Sequence, residues 1–161
     1  MKIKIGVFSL TCDEGCSVNF LEILNKKYFE WKDFIEFVNF RLVKTEKDIR
    51  EMDIAFVEGV ISTKKDLEKI KKIREKCKKL VLLGSCAISG IPSNIRNYFD
   101  EERNKEIEEI LKKFDFLDRC YLIKEVVKVD YEIPGCPIDE NKLINYIDNL
   151  IVEANKDARK H

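Results

Sequence analysis

Two strand candidates in this chain are apolar at nearly every position, and this pattern constrains the fold more than any other part of the sequence. Residues 80–83 are all leucine or valine, and residues 53–57 contain one polar residue, Asp53. A strand with one face in water alternates apolar and polar side chains, whereas a strand of a parallel sheet is covered on both faces. The two segments therefore predict a parallel sheet between layers of helices.

Helix and strand candidates alternate along the rest of the chain. Apolar residues recur at every third or fourth position in four segments, which predicts four helices. The first predicted helix has Ser17 as its N-cap, and the other three span 63–78, 100–113 and 139–154. The predicted strands span 2–10, 35–43, 53–57, 80–83 and 121–129. This order predicts a single α/β domain over residues 1–161, in which residues 155–161 form a frayed tail.

Several residues with ligand chemistry follow the predicted strands. Cys12 and Cys16 follow the first strand, Glu58 follows the third, and Cys86 lies in a glycine-bearing loop after the fourth. In a parallel sheet, the carboxyl ends of the strands meet at one edge, and ligands bind in the crevice there. The topology therefore predicts that thiols far apart in the sequence lie close together.

The six cysteines favour metal or redox chemistry. A chain without a signal peptide is expected in a reducing compartment, where a disulfide framework is disfavoured. Four of the cysteines lie in loops that contain glycine, which lets a backbone approach a ligand closely: Cys12, Cys16, Cys86 and Cys136. Three or four thiolates beside glycines such as Gly15, Gly84 and Gly135 are what an iron–sulfur cluster requires. Cys77 and Cys120 lie in apolar patterns without such loops, and we expect them to be packed in the core.

The same motifs resemble those of a known family. Residues 10–17, 57–59, 84–87 with Gly90, and 134–137 occur in the order found in the small subunit of nickel–iron hydrogenases. They are similar also to the homologous 20-kilodalton subunit of NADH–quinone oxidoreductase. The resemblance extends over nearly the whole chain, and the order and spacing of the motifs carry it.

This resemblance implies a flavodoxin-like domain that holds one proximal [4Fe-4S] cluster. It implies Cys16, Cys86 and Cys136 as ligands and places Glu58 beside the cluster. It also implies a separate large subunit that carries the nickel–iron centre, together with further iron–sulfur or flavin subunits. The alternative role of Glu58 is that of a carboxylate that caps a helix or lies in solvent at the end of a strand.

The first ligand departs from the family pattern. Family members commonly have two cysteines separated by two residues, whereas three residues separate Cys12 from Cys16 here. Aligned without a gap, Asp13 occupies the position of the first ligand. Either the loop is one residue longer and Cys12 ligates, or an aspartate replaces a thiolate. Thiolate suits iron–sulfur clusters far better than carboxylate does, which favours Cys12.

Charge and hydropathy argue against two classes of partner. The 30 basic and 30 acidic residues give a net charge of +0, so no electrostatic attraction to nucleic acid is expected. The apolar runs are far shorter than a membrane span. The first eight residues alternate like a strand, unlike a signal peptide. We therefore expect a cytoplasmic protein without a direct membrane span.

The leading hypothesis is an electron-transfer subunit of a hydrogenase-type complex, without catalytic residues of its own. The only histidine, His161, is terminal, which excludes histidine-based acid–base catalysis. A subunit of a membrane-bound hydrogenase or of a quinone-reductase-type complex is the alternative within the family. Two hypotheses come from other classes: a structural zinc site, in which four thiolates bind one ion, and an interaction module without a cofactor.

Overall fold

A computed structural model describes residues 2–43 and 48–158, without the side chains of residues 157 and 158. The strands are β1 (Ile3–Ser9), β2 (Ile35–Phe40), β3 (Met52–Glu58), β4 (Ile61–Thr63), β5 (Cys77–Leu83), β6 (Phe116–Tyr121) and β7 (Tyr131–Ile133). The helices are α1 (Gly15–Trp31), α2 (Lys64–Lys76), α3 (Gly84–Ser89), α4 (Glu101–Lys113) and α5 (Glu140–Ala158). Two short 3-10 helices cover Ile95–Tyr98 and Ile123–Glu125.

Five of the strands form one parallel sheet in the order β2-β1-β3-β5-β7. Counted within this sheet alone, the order is 2-1-3-4-5, which is that of flavodoxin-like folds. The predicted fold class is therefore confirmed. The strands β4 and β6 pair antiparallel in a separate two-stranded sheet, which the sequence did not predict.

The main sheet is covered on both faces, which explains its continuously apolar strands. In β3, Ile54 and Phe56 join a core with residues of α1 and α5, whereas Ala55 and Val57 join a second core with residues of α2. Successive side chains of a strand point to opposite faces, so both sets must be apolar. Trp31 at the end of α1 is buried, and its indole N–H donates to Asp148 of α5 over 2.7 Å.

Local signals account for the helix boundaries that were predicted well. Thr63 and Asp66 form a capping box at the start of α2, and the Asp100 carboxylate accepts the Arg103 N–H at the start of α4. The last helix begins one residue after Asp139, whose carboxylate accepts the Lys142 N–H. Residues 155–158 continue this helix, and the rest of the predicted tail, with His161, lies outside the described residues.

The prediction of a strand over 121–129 was wrong. The strand β6 ends at Tyr121 and a 3-10 turn follows, because the Glu125 carboxylate accepts the Leu122 N–H over 2.6 Å and closes a local turn. The strand beside β5 in the main sheet is instead β7, which has three residues. Cys77, assigned to the helix before β5, is the first residue of that strand and is buried as expected.

None of the helices in residues 2–43 and 48–158 combines the length and the hydropathy that a membrane-spanning helix requires.

Candidate metal centre

A cavity of about 320 Å³ lies at the carboxyl ends of β1, β3 and β5. All four cysteines that the sequence singled out line it. Asp13, Gly15, Glu58 and Gly135 line it as well, and so do Gly59, Leu83, Ser85 and Pro137, which were not predicted. Ser85 precedes Cys86 in the same motif, so its position could have been inferred; the others depend on how the loops meet.

Cys12 lies in the segment that joins β1 to α1, and Cys16 is the second residue of α1. Thr11 and Val60 exchange two backbone hydrogen bonds of 3.1 and 3.0 Å, which fix the start of this segment on the connection after β3. The Asp13 carboxylate accepts the Gly15 N–H over 3.0 Å. Both Cys12 and Asp13 line the cavity.

Glu58 is the polar centre of the site. Its carboxylate is buried and accepts four hydrogen bonds: from the Ser9 hydroxyl over 2.8 Å, from the Ser17 hydroxyl, and from the N–H groups of Cys16 and Ser17 over 3.1 and 3.3 Å. The first N–H groups of a helix lack partners within that helix. Glu58 therefore caps α1 from the neighbouring strand and also lines the cavity.

The expectation that Ser17 caps α1 was wrong, because Glu58 takes that role. The helix begins at Gly15, after Glu14 in a left-handed conformation, so Ser17 lies within its first turn. The donors that an N-cap side chain would satisfy are satisfied by Glu58 instead. This arrangement holds the backbone of Cys16 against the end of β3.

Cys86 lies on a short helix, not in the loop that was predicted after β5. The helix α3 follows directly after β5, and the Ser85 N–H donates to the Gly135 carbonyl over 2.8 Å. This bond joins the segment of Cys86 to that of Cys136. Gly84 has a left-handed φ of +78°, and a Cβ there would clash with Sγ of Cys16. Only glycine permits this approach of α3 to the Cys16 thiol.

The pKa of Cys12 and that of Cys16 are each raised to about 12, chiefly by burial. The charges of Glu58 and Cys86 contribute to the rise in both thiols, and that of Cys136 contributes in Cys16. Thiolates are the metal-binding form of cysteine. These two thiols are neutral at physiological pH, and a bound cation is what would deprotonate them.

Among the residues that the structure describes, no three His, Cys, Asp or Glu side chains lie close enough together to hold a metal ion in their present positions. The four thiols surround a cavity instead. Cysteine sulfur is the usual ligand of iron–sulfur clusters and one of the ligands of structural zinc, so this donor set fits either group.

The two remaining cysteines lie elsewhere. Cys77 is buried at the start of β5, and its Sγ is 3.1 Å from the Arg74 guanidinium. Cys120 is buried in β6, with Sγ 3.5 Å from the Ser62 hydroxyl. The expectation that both cysteines are buried by packing is confirmed.

Comparison with known proteins gives one family. The family model described as "NADH ubiquinone oxidoreductase, 20 Kd subunit" matches residues 12–150. The delta subunit of sulfhydrogenase 2 from Pyrococcus furiosus is 32% identical over 146 residues, which are 90% of this chain and 60% of the relative. A subunit of the vhu F420-non-reducing hydrogenase from Methanocaldococcus jannaschii is 35% identical over 153 residues, or 85% of this chain and 52% of the relative.

The chain thus spans only about half to three-fifths of these two relatives. One solved structure matches this chain over nearly the full length of both chains. A chain in the crystal structure of an NAD+-reducing [NiFe]-hydrogenase in the H2-reduced state superposes with a TM-score of 0.82 and 26% identity. The match covers 95% of this chain and 93% of that one.

Proposed function

Because the chain belongs to the family of the NADH ubiquinone oxidoreductase 20-kDa subunit, which includes hydrogenase subunits, we propose that it is an electron-transfer small subunit of a nickel–iron hydrogenase-type complex. In this proposal it is a single cytoplasmic domain that holds one [4Fe-4S] cluster. The observation that carries the proposal is the convergence of Cys12, Cys16, Cys86 and Cys136 on one cavity.

The proposed ligands are these four cysteines. Cys12 is preferred over Asp13 for two reasons. The Asp13 carboxylate already accepts the Gly15 N–H over 3.0 Å. Thiolate is also the ligand that iron–sulfur clusters require.

A bound cluster would supply one-electron transfer at this site. The residues of the chain hold it in place and tune its surroundings. Glu58 fixes the backbone of Cys16, and the bond between Ser85 and Gly135 fixes the segments of Cys86 and Cys136 relative to each other. None of these roles needs an acid, a base or a nucleophile from the chain.

The proposed partner is a separate large subunit that carries the nickel–iron centre. Cys136 is exposed, so one side of the cavity lies at the protein surface, where a partner could approach within electron-transfer range. Further iron–sulfur or flavin subunits would continue the electron path. A membrane-bound hydrogenase or a quinone-reductase-type complex is the alternative assembly.

The test is metal analysis of protein made without oxygen in an iron-fed host. We expect about four irons and four sulfides per chain, with the brown colour of an iron–sulfur protein. Zinc in place of iron would support the structural zinc site. A colourless preparation without metal would support the module without a cofactor. Co-purification tests the partner, since its sequence should contain the two terminal cysteine pairs that hold nickel.

A further inference from the structure

A side chain outside the predicted set contacts a candidate ligand directly. The Ser93 hydroxyl donates a hydrogen bond to Sγ of Cys86 over 3.2 Å. We propose that Ser93 is a positioning residue that holds Cys86 for ligation and raises the reduction potential of the cluster. The inference rests on the proposed function, because it requires Cys86 to be a cluster ligand.

A tight turn brings Ser93 back to Cys86. The helix α3 ends at Ser89, and the next residue, Gly90, has a φ of +86° and an N–H that donates to the Cys86 carbonyl over 3.0 Å. The Asn94 N–H then donates to the Gly90 carbonyl over 2.8 Å. A Cβ at position 90 would clash with the Asn94 side chain, so the turn is as close as glycine allows.

The residues after Ser93 are bound to β6. The Asn97 side chain donates to the Cys120 carbonyl over 2.8 Å and accepts the Cys120 N–H over 2.7 Å. The Arg96 guanidinium donates to the carbonyls of Leu117 and Asp118 over 3.0 and 3.1 Å. These bonds fix the segment on a rigid element, so the Ser93 hydroxyl is positioned before any ligand binds.

The effect on potential follows from charge. A thiolate ligand can accept hydrogen bonds but has no proton to donate, so the hydroxyl must be the donor. Reduction adds one negative charge to the cluster and its sulfurs. A hydrogen bond to sulfur therefore stabilises the reduced state more than the oxidised state. Removal of the hydroxyl is expected to make the potential more negative.

The experiment compares four proteins, each loaded with iron and sulfide without oxygen: the wild type, Ser93→Ala, Ser93→Thr and Ser89→Ala. Ser89 is the matched control, because its exposed hydroxyl lies on α3 and donates to the Ser85 carbonyl. Iron is counted, and the midpoint potential is measured by titration followed by electron paramagnetic resonance. We expect a more negative potential in Ser93→Ala, with Ser93→Thr and Ser89→Ala close to the wild type.

Two results would support the role of Ser93: the shift in Ser93→Ala alone, or loss of iron in Ser93→Ala while Ser93→Thr and Ser89→Ala keep theirs. An unchanged potential in fully loaded Ser93→Ala would overturn it and leave the proposed function intact. An equal shift in Ser89→Ala would also overturn it. A wild-type protein that takes up no iron would overturn both proposals together.

Discussion

The six cysteines lie in two kinds of surroundings. Four line the cavity and are half-buried or exposed, whereas Cys77 and Cys120 are enclosed by packed side chains. A thiol in the core behaves as a small apolar side chain. A thiol beside a cavity near the surface can bind a group that also exchanges electrons with a partner. The most buried cysteines of this chain are therefore those expected to bind no metal.

The largest expected effect is the difference in iron binding between a cavity-lining cysteine and a packed one. Cys86→Ser should abolish iron binding, because it removes a thiolate from the cavity. Cys120→Ser should keep the full iron content and lose only about 1–2 kcal/mol of stability, through a polar hydroxyl placed in the core. Iron analysis and urea denaturation measure the two effects. Equal iron loss in both variants would show that cavity-facing and packed thiols do not differ as proposed.

The next comparison separates Cys12 from Asp13. Cys12→Ser should lower the iron content well below that of the wild type, whereas Asp13→Asn should leave it unchanged, because a thiolate is the better ligand for iron. The iron-to-protein ratio after anaerobic reconstitution measures both. The reverse result would assign the first ligand to the carboxylate.

A smaller effect is expected at the carboxylate that caps α1. Glu58→Gln replaces an acceptor of four hydrogen bonds with an amide that carries donors of its own, which should cost about 2–3 kcal/mol of stability in the iron-free protein. Glu36→Gln on the exposed side of β2 is the matched control and should cost almost nothing. If the two variants had the same denaturation midpoint, this role of Glu58 would be contradicted.

The smallest effect compares two glycines of the site. Gly84→Ala should cost about 2 kcal/mol, because alanine is strained at a φ of +78° and its Cβ would meet the Cys16 thiol. Gly15→Ala should cost much less, since Gly15 is helical and its Cβ would meet only the Asp13 side chain, at 3.2 Å, which has to move by a few tenths of an ångström. Thermal unfolding of the iron-free variants gives both values. A Gly84→Ala variant as stable as Gly15→Ala would mean that α3 can move away from Cys16.

The elements with long, regular patterns could be predicted, and the short ones could not. The helices over 64–76 and 101–113 follow from their spacing and caps. The strand β4 was missed because it has only three residues, and β6 because the charged Asp118 and Arg119 interrupt its apolar pattern. Each pairs only with the other, more than fifty residues away. The six residues of α3 resemble a loop in sequence, since the helix begins at a glycine.

The residues around the candidate site divide in the same way. Cysteine and glycine motifs pointed to the loops, and the order of strands predicted that they meet at one edge. The network around Glu58 could not be predicted, because it depends on the register that places Ser9 opposite Glu58 in neighbouring strands. Ser93 was missed because its contact with Cys86 depends on a turn and on hydrogen bonds to β6.

By itself, the sequence determined the layers of this protein and the thiols at the carboxyl edge of its sheet. Both follow from local preference: apolar runs form covered strands, and glycine-bearing segments leave them. Only the tertiary structure decided which donors meet Glu58 and which hydroxyl meets Cys86. These contacts join residues from different elements, and their geometry exists only once the elements have packed.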